Sequence, residues 1–118
     1  MSLLAPFLIT VLVAPAQPAA QSCGIDVTQT GETLAISGLV DTQRWVEGTY
    51  RMRIDLQRGS NRSVSSQSGG FQVSAGEGQK NLVVATSTLY VGGGAQVDVV
   101  FDLRDGTRHE TCTVTVGR

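Results

Sequence analysis

The sequence is poor in most of what chemistry at a site requires. It has one histidine, His109, and two cysteines, Cys23 and Cys112. A single imidazole between Arg108 and Glu110 cannot build a zinc site with two distant thiols that are better paired with each other. Nor does a nucleophile or an orienting carboxylate accompany it in the local sequence, so His109 reads as a solvated strand residue rather than a catalytic base. No catalytic residue, metal or cofactor is expected. Gly76-Glu77-Gly78 and Gly92-Gly93-Gly94 open no helix and fit neither the Walker nor the dinucleotide-binding spacing, which leaves them as turns. The match Asn61-Arg62-Ser63 to a glycosylation sequon is of a kind common by chance. Charge is scarce and balanced. Nine basic against ten acidic residues give a net charge of −1, so no strong field draws nucleic acid or an acidic lipid surface. No apolar run reaches the roughly 20 residues a membrane-spanning helix needs, and no ten-residue stretch has helical spacing.

What is present begins with twenty residues free of charge. Leu3, Leu4, Phe7, Leu8, Ile9, Val11, Leu12 and Val13 form a short apolar run. Ala14-Pro15-Ala16-Gln17-Pro18-Ala19-Ala20 follows, small residues of the kind a signal peptidase accepts. Residues 1–20 are therefore read as a secretory signal peptide, cleaved after Ala16 or Ala20, although no Lys or Arg precedes the apolar run. Residues 21–118 then make one domain, small enough to fold with little margin. Cys23 and Cys112 sit at its two ends and would meet an oxidising compartment, where a disulfide is expected. Closing a loop of almost the whole domain stabilises by at most about 4 to 5 kcal/mol in the chain-entropy model. The rival reading is acylation of Cys23, against which Ala20-Gln21-Ser22 is a poor lipobox and the apolar run ends too early.

The remainder alternates with period two, broken by turn residues, which is the pattern of strands. A first strand is predicted over Gly24 to Gln29 and a second over Thr33 to Val40, with Leu34, Ile36 and Val40 inward and a bulge at Gly38. From Thr49 to Arg58, Tyr50, Met52, Ile54 and Leu56 alternate strictly with Arg51, Arg53, Asp55 and Gln57, giving one core face and one wet face. Gly59 to Gly70 reads as a polar, Ser-rich connection leading to a short strand around Phe71-Gln72-Val73 and a Gly-rich turn at Ala75 to Gly78. Asn81 to Tyr90 reads as a strand bent near Thr86-Ser87-Thr88. Ala95, Val97, Val99, Phe101 and Leu103 mark another, Asp105-Gly106 a hairpin turn, and Arg108 to Val116 the last, with Cys112, Val114 and Val116 on one side. Trp45, in a polar loop, is expected to plug the end of the domain. The sum is an all-β fold, an immunoglobulin-like β-sandwich of about seven antiparallel strands.

Charge supplies one clue. Eight of the nine basic residues are Arg, which favours planar, bidentate pairing. Arg51 and Arg53 share one wet strand face, Asp98 and Asp102 another, and in an immunoglobulin-like order these strands are neighbours, so cross-strand ion pairs are expected. Such pairs serve solubility and register, each worth about 0 to 1 kcal/mol when exposed. They can equally form a polar surface on which another chain lies.

Ser63-Val64-Ser65-Ser66-Gln67-Ser68-Gly69-Gly70-Phe71-Gln72-Val73-Ser74-Ala75-Gly76, followed by Leu82, Leu89, Val97, Val99 and Phe101 before Asp105-Gly106, resembles the curli-system periplasmic proteins of the CsgC/CsgH type, and more closely the CsgH branch. The resemblance spans roughly Gly48 to Gly106. The CsgC branch carries a Cys-x-Cys pair on one strand and this chain has none, so thiol exchange finds no support. The resemblance implies an immunoglobulin-like sandwich in the bacterial periplasm, a chaperone that keeps curli-type amyloid subunits from polymerising before secretion. It implies a protein client; the chain is expected to act as a monomer, with neither nucleic acid nor stable membrane insertion. With the one-sided strand, it makes Arg51, Arg53 and Gln57 on the wet face, and Gln67 in the motif stretch, the candidates for client contact. A structural or adhesive extracytoplasmic β-sandwich module is the alternative, and it would require repeats or an anchor.

Overall fold

A computed structural model describes residues 22–74 and 80–117. The signal-peptide reading of residues 1–20 and the Gly-rich turn at 75–78 lie outside the described residues. Among these, seven strands occur: β1 (Cys23–Thr30), β2 (Thr33–Asp41), β3 (Glu47–Arg58), β4 (Asn61–Gln72), β5 (Asn81–Tyr90), β6 (Gln96–Asp105) and β7 (Arg108–Gly117). They form a three-stranded sheet in the order β1-β2-β5 and a four-stranded sheet in the order β4-β3-β6-β7. Every pairing is antiparallel.

Three hairpins are built alike. Gly31-Glu32, Gly59-Ser60 and Gly106-Thr107 each separate a closing pair of strand residues, and in each the first loop residue is a glycine at φ near +60°. Two-residue loops need that left-handed backbone to match the twist of the strands they join. The last of these loops lies one residue beyond the predicted Asp105-Gly106.

One core fills the space between the sheets. Leu34, Ile36, Val40 and Ala85 enter it from the three-stranded sheet, and Met52, Ile54, Val97, Val99, Phe101 and Leu103 from the four-stranded one. These are the inward positions of the period-two pattern, and each large side chain fully buried contributes about 1.5 to 3 kcal/mol. Cys23 on β1 and Cys112 on β7 are joined with Cα atoms 6.2 Å apart, so the bond links first strand to last and one sheet to the other. The predicted irregularity at Gly38 is present: Gly38 pairs with Ala85 but Leu39 with Val83, leaving Val84 as the extra residue on β5. The distortion of that strand thus falls at Val84, before the predicted bend at Thr86-Ser87-Thr88.

The largest departure from the predicted pattern is β4. Gly59 to Gly70, read as a polar connection, is instead most of a twelve-residue strand paired in unbroken register with β3, and the predicted short strand at Phe71 is its end. The physical reason is its place in the fold. β4 is the outer strand of the wider sheet, facing a sheet of only three strands, so its inward positions Asn61, Ser63 and Ser65 remain exposed and only Gln67, Gly69 and Phe71 are partly covered. A strand with almost no core to face has no reason to alternate in hydrophobicity.

Candidate functional site

The outer face of the four-stranded sheet carries most of the residues singled out in the sequence. Register fixes its rows across β4, β3, β6 and β7: Gly70, Thr49, Arg104, His109; then Ser68, Arg51, Asp102, Thr111; then Ser66, Arg53, Val100, Thr113; then Val64, Asp55, Asp98, Thr115. Gln57 follows in the next row beside Arg62 and Gln96. Arg51, Arg53 and Gln57 therefore share this face and are exposed. Gln67 does not join them. It stands opposite Met52, on the inward side, where its Nε2 donates to the carbonyl of Thr86 at 3.0 Å and ties β4 to β5.

The expected ion pairs between Arg51 or Arg53 and the aspartates of β6 do not form. Arg51 lies directly across from Asp102, but the short aspartates are engaged from the other side. Thr111 Oγ1 donates to Asp102 Oδ1 at 2.5 Å, and His109 Nε2 lies 3.3 Å from the same oxygen. Thr115 Oγ1 donates to Asp98 Oδ1 at 2.7 Å. The threonines of β7, one strand beyond β6, take both carboxylates. Among the described residues Arg51 and Arg53 have no ion-pair partner.

One arginine on this face is paired. Arg62 grips Asp55 through Nε at 3.0 Å and Nη2 at 2.6 Å. That hydrogen bonding holds the Asp55 carboxyl below its ordinary range, with smaller help from the positive charges of Arg62 itself and of Arg53. The face thus sorts its charges: carboxylates satisfied by Thr, His109 or Arg62, and two central guanidinium groups left to solvent.

Arg104 was not singled out in the sequence, yet it belongs here; its spacing of two from Asp102 was the available signal. With Thr49, Arg51, Ser68 and Asp102 it borders a shallow open depression of about 390 Å³. Ser68, opposite Arg51, is the small outer-face side chain at its border.

His109 does have a carboxylate and a hydroxyl beside it, contrary to the reading of its local sequence, because Asp102 and Thr111 reach it across the hairpin. The Thr111 hydroxyl donates to Asp102 at 2.5 Å and lies 3.3 Å from His109 Nε2. Among the described residues no group of three or more His, Cys, Asp or Glu side chains could hold a metal ion.

At one end of the molecule Trp45 is buried as expected, and its surroundings were not legible in advance. Its Nε1–H donates to Ser22 Oγ at 2.7 Å. Ser22 in turn donates through Oγ to Glu110 Oε1 at 2.5 Å and through its backbone N–H to Oε2 at 2.9 Å. Phe71 meets the indole edge-on, and the Arg108 guanidinium lies 3.9 Å above the ring. This cluster is structural: it satisfies a buried indole N–H and seals the end of the core.

In sequence, no family model matches the chain and no characterised protein matches it. Its fold does match solved structures. The solution structure of CsgH from R. palustris superimposes with a TM-score of 0.63 at 18% identity, covering 79% of this chain and 89% of that one. The E. coli curli protein CsgC superimposes with a TM-score of 0.59 at 17% identity, covering 78% of this chain and 95% of that one.

Proposed function

We propose that this chain is an exported, immunoglobulin-like sandwich that binds curli-type amyloid subunits in the periplasm and delays their polymerisation. The observation that carries the reading is the likeness in fold to CsgH and to the curli protein CsgC over nearly their full lengths. It adds to the sequence resemblance between Gly48 and Gly106. The Cys23–Cys112 bond supports export, because such bonds persist in oxidising compartments.

The wet face supplies the contact. Amyloid subunits present unpaired backbone and polar ladders, and Arg51 and Arg53, with no ion-pair partner, offer exposed positive charge to them. Binding alone accounts for inhibition in this reading, and no chemical step is needed. A contact between exposed charges weakens with salt, since the Debye length falls to about 3 Å at 1 M.

The test is a dye-binding assay of fibre formation with the wild type and an Arg51→Ala, Arg53→Ala variant that still melts cooperatively. The wild type should lengthen the lag, less so at high salt, and the variant should lengthen it much less. No delay from the wild type contradicts the function; equal delays from both contradict only the choice of arginines.

A further inference from the structure

The two edges of the four-stranded sheet are not alike. β7 opens with Arg108, His109 and Glu110, two of them charged, and its Cys112 is bonded to β1. β4 carries no such defence. It runs for twelve residues without proline, without a break in register and without charge between Ser63 and Gln72. Its single charge, Arg62, is held by Asp55. Folded proteins usually protect an edge by shortness, charge, proline or a bulge, because a bare row of N–H and C=O groups is a template for another strand.

Register says which groups are free. In a two-residue hairpin the closing pair, here Arg58 with Asn61, exchanges both of its hydrogen bonds, and bonded pairs recur at every second residue. The odd-numbered residues of β4 therefore bond to β3, and just past the strand Val73 N–H donates to the Val46 carbonyl at 2.7 Å in the same phase. The even-numbered residues Val64, Ser66, Ser68 and Gly70 turn their backbone groups outward. The side chains of Val64, Ser66 and Ser68 lie on the same face as the unpaired arginines, Ser68 opposite Arg51 and Ser66 opposite Arg53. Only serines stand between those guanidinium groups and the open edge.

Resting on the proposed function above, we infer that β4 takes up an extended segment of the amyloid-forming client as a fifth strand of the sheet. The segment is one with small polar side chains and acidic rather than basic charge. Backbone pairing along the even-numbered residues provides the attachment, as in β-strand addition generally. Arg51 and Arg53, reaching over the serines, select a carboxylate on the outer face of the added strand. A second copy of this chain is disfavoured as occupant, because β4-to-β4 pairing brings two sets of unpaired arginines onto one continuous face. A client strand capped in this way has lost the edge on which the next subunit would add.

Two measurements test the inference, both with the full mature chain and a curli-type subunit freshly released from denaturant. In amide hydrogen exchange, Val64, Ser66, Ser68 and Gly70 should exchange fast in the free protein and become protected when the subunit is added. Ser65, Gln67 and Gly69, already bonded to β3, should change little. In the lag assay, Ser66→Pro should lose most of the delay. It removes an outward N–H and blocks an added strand, while proline is tolerated at an outward edge position. If that variant fails to fold, the exchange pattern of the wild type decides. Outward amides that stay fast with the subunit present, or a cooperatively melting Ser66→Pro that delays fibres as well as the wild type, overturn the edge while leaving the function standing. A wild type that neither binds nor delays overturns both. Outward amides already protected in the protein alone, with a dimer in sedimentation that Ser66→Pro dissociates, assign the edge to a second copy and overturn the inference.

Discussion

Gly38 carries no side chain because Phe101 occupies the space one would need: a Cβ there would stand 2.5 Å from the ring. Gly38→Ala must displace the fully buried Phe101 ring, and overpacking of this kind costs about 1 to 3 kcal/mol, which a thermal melt should show as a lower Tm. Ser22→Ala acts by the opposite route, leaving the Trp45 indole N–H buried without an acceptor. Such a group costs about 1 to 3 kcal/mol, so urea denaturation should find a lower midpoint with an unchanged slope. The Asp55–Arg62 pair has a signed dependence on pH. Because Asp55 has its carboxyl held low in the folded chain, its contribution to stability is present at neutral pH. That contribution is lost as pH falls through and below the ordinary aspartate range. The stability difference between wild type and Asp55→Asn should therefore shrink on acidification; a difference that grows would contradict the pairing. Single residues were unevenly legible in the sequence. The inward Leu34, Met52, Ile54 and Phe101 could be read because alternation records burial directly. The Ser22–Glu110 hydrogen bonds could not, since they join residues 88 apart and no local pattern records such a meeting. The pairing expected of Arg51 with Asp102 failed for a related reason. Register placed them opposite each other, but the hydroxyl of Thr111 on the far strand was closer to hand.

At the scale of the strand, β3 and β4 show what sequence periodicity can and cannot carry. β3 is covered by the facing sheet, and its strict alternation from Tyr50 to Gln57 announced both of its faces. β4 pairs with it residue for residue yet lies beyond the facing sheet's cover, so hydrophobic burial imposed no pattern and the stretch read as a connection. It is held by backbone hydrogen bonds to one neighbour, by Phe71 at one end and by the Gln67 bond to Thr86. Strands held in this way open more easily than central ones. Exchange of the inward amides of β4 should accordingly be faster than that of β3 and β6, the two central strands of the sheet; equal protection would contradict the placement of β4 at the periphery.

For the whole molecule, the pairing of the two cysteines was legible from their number and their place at the ends of the domain, and the bond joins the two sheets. Its reduction should lower stability by at most about 4 to 5 kcal/mol, the chain-entropy limit, seen as an earlier unfolding midpoint with reductant. At temperatures below that transition the lag-extending activity should persist, because neither Cys23 nor Cys112 lies on the wet face or at the β4 edge. His109→Ala should likewise leave the activity unchanged, whereas a large loss with the fold intact would favour an enzymatic reading. If the proposed inhibition acts on scarce nuclei or growing ends, where one bound copy of this chain blocks many additions, a dose series should reveal it. Fibre formation by a curli-type subunit is followed at a fixed subunit concentration while this protein is raised from far below one copy per subunit to equality. The lag should lengthen steeply while the protein is still greatly outnumbered; a lag that stays flat until the two are equimolar, or throughout, would rule out action on nuclei or ends.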